Sequence, residues 1–160
     1  MSTNAEKAAE IFKGFIGKED EPGAWFVVDQ QRINQFADCT LDHQFIHIDP
    51  EKSAQLSPYK VTIAHGFLTL SMFTHLAASV KASYGIEPYA GIVMGVNYGF
   101  DKVRFISPVK VYSKIRTRSE LMGVELKGSA INLTQKCTVE IEGDTKPACV
   151  GEWITRLLYS

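Results

Sequence analysis

The run GFLTLSMFTHLAASVKASY, residues 66–84, is the stretch that decides the fold. Its apolar side chains fall on nearly every side of a helical wheel, and they are Phe67, Leu68, Leu70, Met72, Phe73, Leu76, Ala77 and Val80. A helix that is apolar on nearly all sides is a buried helix. In a chain of only 160 residues, the rest of the sequence must supply a layer that covers it.

The second half of the chain has the period-two pattern of long β-strands. The bulky apolar side of the first predicted strand consists of Ile92, Met94, Val96, Tyr98 and Phe100. A similar alternation recurs over residues 111–121 and 131–141, and a last strand is predicted around residues 150–154. Gly128-Ser129 and EGDTKP, residues 142–147, supply turns. Together these elements predict an α+β fold with a curved antiparallel sheet closed around the central helix.

The first half of the chain is predicted to be helical. Apolar residues at helical spacing predict a surface helix from Asn4 to about Gly17. A β-prone run follows at residues 25–28, and Asp29 is placed to cap a second short helix. Residues 39–59 have no sustained period and are rich in polar groups, which predicts loop and short helix.

Composition predicts one cytosolic domain spanning residues 1–160. The sequence is 45% hydrophobic and 22% charged, with a net charge of −1, which is typical of a globular protein and disfavours nucleic acid as a partner. No apolar run has the length of a membrane span, and the first residues do not resemble a signal peptide. Cys39, Cys137 and Cys149 are widely spaced, so we expect three buried free thiols and no disulfide framework.

The segment 42–47, DHQFIH, holds the first candidate catalytic groups. Asp42 and His47 can grip one water, with the carboxylate moving its protons, as hydration of an activated double bond requires. The alternative is that Asp42 caps a turn and His47 is a hydrogen-bonded structural residue. His43 is expected to be a solvated neighbour, whereas Gln44 either bonds within the loop or orients a catalytic group.

The segment Ala64-His65-Gly66 opens the predicted central helix. The first N–H groups of a helix lack intrahelical partners, and glycine allows a ligand to approach the backbone closely. The Gly66 N–H is thus a candidate donor to a thioester oxygen, unless Gly66 only permits a tight start to the helix. Ser71 either bonds its own backbone or faces a ligand, and structural roles are expected for His65 and His75.

A metal site is the main chemical alternative. Its potential ligands are His43, His47, Asp49 and His65. The sequence contains neither HExxH nor cysteines at zinc-ligand spacing, and it has no GxSxG, GxGxxG or P-loop motif. We therefore predict no bound metal and no cofactor.

Three blocks carry a resemblance to a known family: DQQRINQFADCTLDHQFIHIDPEKS (29–53), TIAHGFLTLSM (62–72) and NYGFDKVRFISPV (97–109). Together they resemble the MaoC-like hydratases of the hot-dog fold, and more closely the branch named for nodulation protein N. The resemblance implies a five-stranded antiparallel sheet around a long central helix, with two subunits pairing edge to edge as a homodimer.

The resemblance also implies a reaction and roles for individual residues. The reaction is (R)-specific hydration of trans-2-enoyl-coenzyme A to the (R)-3-hydroxyacyl thioester. The catalytic positions of the family fall on Asp42 and His47, its carbonyl-binding amide on Gly66 and its pocket serine on Ser71. For Asn97, on the small-residue face of its strand, bracing of the catalytic loop and a purely structural role both stay open.

This chain departs from the family pattern in three places. Gln44-Phe45 replaces the usual Asn-Pro, as in the nodulation-type branch, where glutamine precedes an aromatic residue. Leu41 stands where a glycine is common, and Pro58-Tyr59-Lys60 replaces a Phe-Gly turn. None of these changes removes a catalytic group. A hot-dog thioesterase and a non-catalytic acyl-thioester-binding protein stay open as alternatives.

Overall fold

The computed structural model describes residues 3–160, and its first third is helical as predicted. Helix α1 spans Asn4–Lys13, and Thr3 and Glu6 close a reciprocal capping box at its start. Helix α2 spans Gln30–Thr40, with the Asp29 side chain accepting from the Arg32 N–H. Two short helices follow, α3 (Phe45–Ile48) and α4 (Pro50–Leu56). The only change to this part is that α1 ends one turn earlier than Gly17.

A five-stranded antiparallel sheet forms the rest of the molecule, as the pattern predicted. Its strands are β1 (Phe26–Val27), β2 (Ile92–Phe105), β3 (Lys114–Lys127), β4 (Ala130–Ile141) and β5 (Cys149–Tyr159). They lie in the order β1-β3-β4-β5-β2, so that the very short β1 and the long β2 occupy the two edges. One core cluster packs the central helix against this sheet, and a second packs α1 against it.

The central helix is shorter and less buried than predicted. It runs as α5 (Gly66–Ser71) and α6 (Phe73–Ala77), and residues 78–91 are turns and a 3₁₀-helix at Glu87–Tyr89. The Ser79 hydroxyl ends it by donating to the Leu76 carbonyl while accepting from the Ala24 N–H. One side of the helix faces the core, but Phe67 is 70% exposed. The prediction of burial on all sides was therefore wrong for this chain alone.

The edge strand β2 also departs from its simple alternation. Its pairing with β5 has register shifts between residues 92 and 94, 97 and 99, and 101 and 104. A bulge reverses which side chains face inward. Phe100 therefore packs against the core, while Val93, Met94, Val96 and Tyr98 are exposed.

The cysteines and the apolar segments complete the comparison. All three cysteines are free, and Cys137 and Cys149 are buried as predicted. Cys39 is exposed, because it lies on the outer side of the amphipathic helix α2, so that prediction was wrong. Among residues 3–160, no helix has both the length and the apolar character needed to cross a bilayer.

Candidate active site

Asp42 lies at the turn that follows helix α2. Leu41 ends the helix in the left-handed conformation, with φ of 63°, and reverses the chain so that Asp42 leaves the helix axis. The Asp42 carboxylate is largely exposed, and its Oδ1 accepts from the Gln44 N–H over 3.4 Å. Asp42 therefore has an open carboxylate beside a local turn contact, which combines parts of both readings of this residue.

His47 lies on helix α3 with only 6% of its surface exposed. Its Nδ1 is 2.7 Å from the Ile63 carbonyl oxygen. Because a carbonyl can only accept, Nδ1 carries the proton, and in the neutral ring Nε2 keeps a bare lone pair. His47 is therefore set to accept a hydrogen bond from water through Nε2.

The backbone of His47 is held by two residues that the sequence analysis missed. The Gln30 side-chain amide donates to the His47 carbonyl oxygen over 2.7 Å, and the Thr62 hydroxyl donates to the Gln30 Oε1. Gln30 begins α2, while Thr62 immediately precedes the segment that accepts from the imidazole. The one available signal was that both lie inside the blocks that carry the family resemblance.

Burial and charge keep the His47 ring neutral. Burial lowers the pKa of His47 from its usual 6.5, and the neighbouring His65 lowers it further. The hydrogen bond to Ile63 and the Asp42 carboxylate act in the opposite direction without reversing the shift. Neutral imidazole is therefore the dominant form of His47 at pH 7.

His65 enters the same site, although its position suggested only a structural role. Its ring stacks on that of His47 with centroids 3.7 Å apart, and its Nε2 is 3.0 Å from the Asp42 carbonyl oxygen. His75, in contrast, is exposed and packs edge-on against Phe26. The structural reading thus fits His75 but omits what His65 contacts.

Gly66 is the first residue of α5, so its N–H has no intrahelical partner. A Cβ at this position would lie 2.9 Å from Cγ of Phe105, closer than side-chain atoms pack. Gly66 and His47 line one cavity of about 230 Å³ with Tyr59, Thr69 and Phe105 among its other walls. Glycine is therefore required here both by the packing of Phe105 and by access to the backbone.

Asp42, His47 and His65 also form a potential metal cluster, with their ligand atoms all within 4.8 Å of one another. The geometry disfavours a shared ion. Lone pairs of stacked imidazoles run side by side, and Nε2 of His65 is already engaged with the Asp42 carbonyl oxygen. The ligand set considered from the sequence does not form, since His43 pairs with Asp38 and Asp49 caps α4.

Comparison with known proteins decides the family. The MaoC-like domain matches residues 12–142 of this chain. The chain belongs to the MaoC-like dehydratase family. It is therefore an enzyme of the hydratase and dehydratase class.

Two relatives confirm the branch suggested by the sequence blocks. Nodulation protein N of Rhizobium meliloti is 45% identical over 140 residues, covering 87% of this chain and 84% of that protein. The 3-hydroxyacyl-thioester dehydratase Z of Mycobacterium tuberculosis is 44% identical over 142 residues, covering 88% of this chain and 87% of that protein.

Solved structures confirm the hot-dog fold. An R-hydratase from Pseudomonas aeruginosa covers 90% of this chain and 81% of its own, with a TM-score of 0.63 and 19% identity. An (R)-hydratase from A. caviae covers 84% of this chain and 95% of its own, with a TM-score of 0.61 and 21% identity. Identities this low carry the fold only.

The backbone explains why this member of the family can do without the usual glycine before Asp42. Leu41 adopts a left-handed conformation that costs a branched residue about 1–2 kcal/mol. Its side chain is 80% exposed, so it meets no clash from other segments. The departure therefore affects stability and the surface beside Asp42, and it leaves the catalytic groups in place.

The remaining predicted binding residues lie at different distances from this cavity. Gln44 is next to the site, where its N–H meets the Asp42 carboxylate and its side chain is exposed. The Ser71 hydroxyl donates to the Leu68 carbonyl oxygen, which is the local bond considered from the sequence. Asn97 accepts from the Trp153 indole and lines a separate, larger cavity of about 710 Å³. Its observed partner is thus β5 rather than the 42–47 loop.

Proposed function

We propose that this MaoC-like enzyme catalyses (R)-specific hydration of trans-2-enoyl-CoA to (R)-3-hydroxyacyl-CoA, and the reverse dehydration. One observation carries the proposal. The Asp42 carboxylate and the free Nε2 side of His47 converge beside the first N–H of helix α5, at Gly66. This arrangement brings an acid/base group, a water acceptor and a carbonyl donor together.

Each group has a distinct task in the proposed mechanism. A water donates one hydrogen bond to Nε2 of His47 and the other to Asp42. As its oxygen attacks C3, Asp42 takes the proton, and the C2–C3 π electrons move to give an enolate on the thioester oxygen. The Gly66 N–H stabilises that oxygen. The protonated Asp42 then delivers a proton to C2, so that one water has been added and the carboxylate is restored.

The thioester substrate is supported by a relative and the stereochemistry by the fold. The 3-hydroxyacyl-thioester dehydratase Z is 44% identical over nearly the full length of both chains. The two solved (R)-hydratases share the hot-dog fold with this chain. The proposal therefore takes the thioester from the former and (R)-selectivity from the latter.

Hydration of crotonyl-CoA tests this function. We expect time-dependent loss of the enoyl absorbance and formation of (R)-3-hydroxybutyryl-CoA, with no free thiol released. Release of thiol would assign thioester hydrolysis instead. Saturable binding without turnover would make the protein a carrier or regulator of acyl thioesters. Either result would overturn the proposed hydration.

Chelation is expected to leave the activity unchanged. The stacked His47 and His65 rings direct their lone pairs side by side, so the proposed mechanism uses no metal. The measurement is crotonyl-CoA hydration before and after incubation with EDTA and removal of the chelator. A loss of activity that zinc restores would convert Asp42, His47 and His65 into a ligand set and refute the mechanism.

We also propose that two copies complete the site as a homodimer. A cavity of about 230 Å³ is below the size that small-molecule sites usually reach, roughly 300–1,000 Å³. The edge strand β2 exposes Val93, Met94, Val96 and Tyr98. A long apolar edge is a liability in a lone subunit, and pairing β2 with its copy around a two-fold axis would cover it.

Light scattering tests the assembly. At micromolar concentration we expect twice the monomer mass for the wild-type chain. Met94→Lys, which puts a charge on exposed β2, is expected to shift the protein towards monomer. Met122→Lys is the matched control, because Met122 is similarly exposed but lies on the inner strand β3. A monomeric wild-type protein would contradict the dimer.

Roles for Gln44, Ser71 and Asn97 in substrate binding, a single domain over residues 1–160 and a cytosolic location complete the proposal. The sheet draws strands from residues 26–159, and α1 packs on it, as expected for one folding unit. The three free thiols fit a reducing compartment.

A further inference from the structure

His65 is buried between two aromatic rings at the centre of the candidate active site. Only 3% of its surface is exposed. One face stacks on His47 with the ring planes 23° apart, and the Phe36 ring packs 5.0 Å away. His65 also directly precedes Gly66, the first residue of α5. Three parts of the site therefore meet at this one side chain.

The hydrogen bonds of His65 define which ring nitrogen carries the proton. Its Nε2 lies 3.0 Å from the Asp42 backbone oxygen, which can only accept, so Nε2 is the donor. Within residues 3–160, its Nδ1 is buried and has no hydrogen-bond partner. A buried polar group without a partner is costly, and groups kept at such a cost cluster at functional sites.

We propose that His65 is a positioning residue that holds the two catalytic groups in register. Its Nε2–H fixes the backbone of Asp42, and the face of its ring fixes the plane of the His47 imidazole. The inference rests on the proposed hydration, because it names His65 as the residue that orients that dyad. His65 itself is expected to make no contact with the reacting atoms.

Neighbouring histidines show why this role falls on His65. His43 is in the same loop as Asp42, but it is exposed and pairs with Asp38. His75 lies on the same helical stretch, but it packs against Phe26, away from the dyad. Of the four histidines, His65 is the one whose donor and ring face are directed to Asp42 and His47 respectively.

Two substitutions separate the hydrogen bond from the packing. His65→Phe keeps an aromatic ring between Phe36 and His47 but has no donor for Asp42. His65→Gln offers an amide N–H near the position of Nε2 but removes the stacked ring. His75→Phe is the matched control, since it makes the same chemical change at an exposed site.

The two variants are expected to affect stability and activity in opposite order. His65→Phe should keep or raise the melting temperature, because it removes the unpartnered Nδ1, yet lower kcat roughly 10-fold with little change in KM. His65→Gln should melt earlier but keep more of the kcat. If kcat instead follows melting temperature across both variants, or His65→Phe retains wild-type kcat, the inference is wrong.

Amide hydrogen exchange gives a readout that does not depend on turnover. His65→Phe should speed exchange of the His47 amide, which bonds the Gln44 carbonyl, while His75→Phe leaves it unchanged. An inactive wild-type protein in which His65→Phe still loosens this loop would refute the proposed hydration and keep the positioning role. An active wild-type protein whose loop and kcat are both indifferent to His65→Phe would refute the inference alone.

Discussion

Replacing Asp42 by asparagine is expected to lower kcat for crotonyl-CoA hydration by roughly 10²-fold or more, because the amide cannot accept the proton of water. The change preserves shape, and an asparagine oxygen can still accept from the Gln44 N–H. The melting temperature should therefore stay close to wild type. Asp38→Asn is the matched control, since Asp38 is an exposed carboxylate on the same helix that pairs only with His43.

The second member of the dyad should show the same loss and no further loss in combination. His47→Asn keeps a donor for the Ile63 carbonyl but removes the Nε2 lone pair that accepts from water. If both groups serve one proton transfer, the double variant should be little worse than the poorer single one. Near wild-type kcat in folded Asp42→Asn protein would exclude Asp42 as the acid/base. The family membership would then describe the fold without this mechanism.

Gly66→Pro is expected to lower kcat by about 10²-fold or more, because it deletes the N–H proposed to stabilise the enolate oxygen. The backbone tolerates the change. Gly66 is the first residue of its helix, where proline is favoured, and His65 already has the extended conformation required before proline, with φ −60° and ψ 140°. A loss of activity would thus not need a loss of the helix.

Gly66→Ala is the control that isolates the donor. Alanine and proline both add a Cβ close to the Phe105 ring, so both require that ring to shift, but only alanine keeps the N–H. The informative quantity is the ratio of kcat between the two variants, measured alongside their melting temperatures. Equal activity of the two folded variants would show that the Gly66 amide does not stabilise the transition state.

Local pattern was sufficient for most of the fold. The alternation over residues 92–101, 111–121 and 131–141 predicted three of the long strands, and Asp29 predicted the start of α2. These features follow from side-chain periodicity and from one capping group, which act within a few residues. The family followed from blocks whose residue order is specific, and the comparisons confirmed it.

Predictions failed where distant segments decide the outcome. The central helix ends at Ala77 because the Ser79 hydroxyl bonds both Leu76 and Ala24, a residue far away in the sequence. The bulges of β2 depend on its pairing with β5, so alternation within β2 could not reveal which side chains face outward.

The candidate site divides along the same line. The sequence by itself determined that Asp42, His47 and Gly66 are the residues to consider, because their chemistry and order match one reaction. Only the tertiary structure decided that Nδ1 of His47 is bound to Ile63 and that His65 lies against the dyad. Hydrogen bonds and ring stacking between separate segments set a tautomer and an orientation, and neither leaves a periodic trace in the sequence.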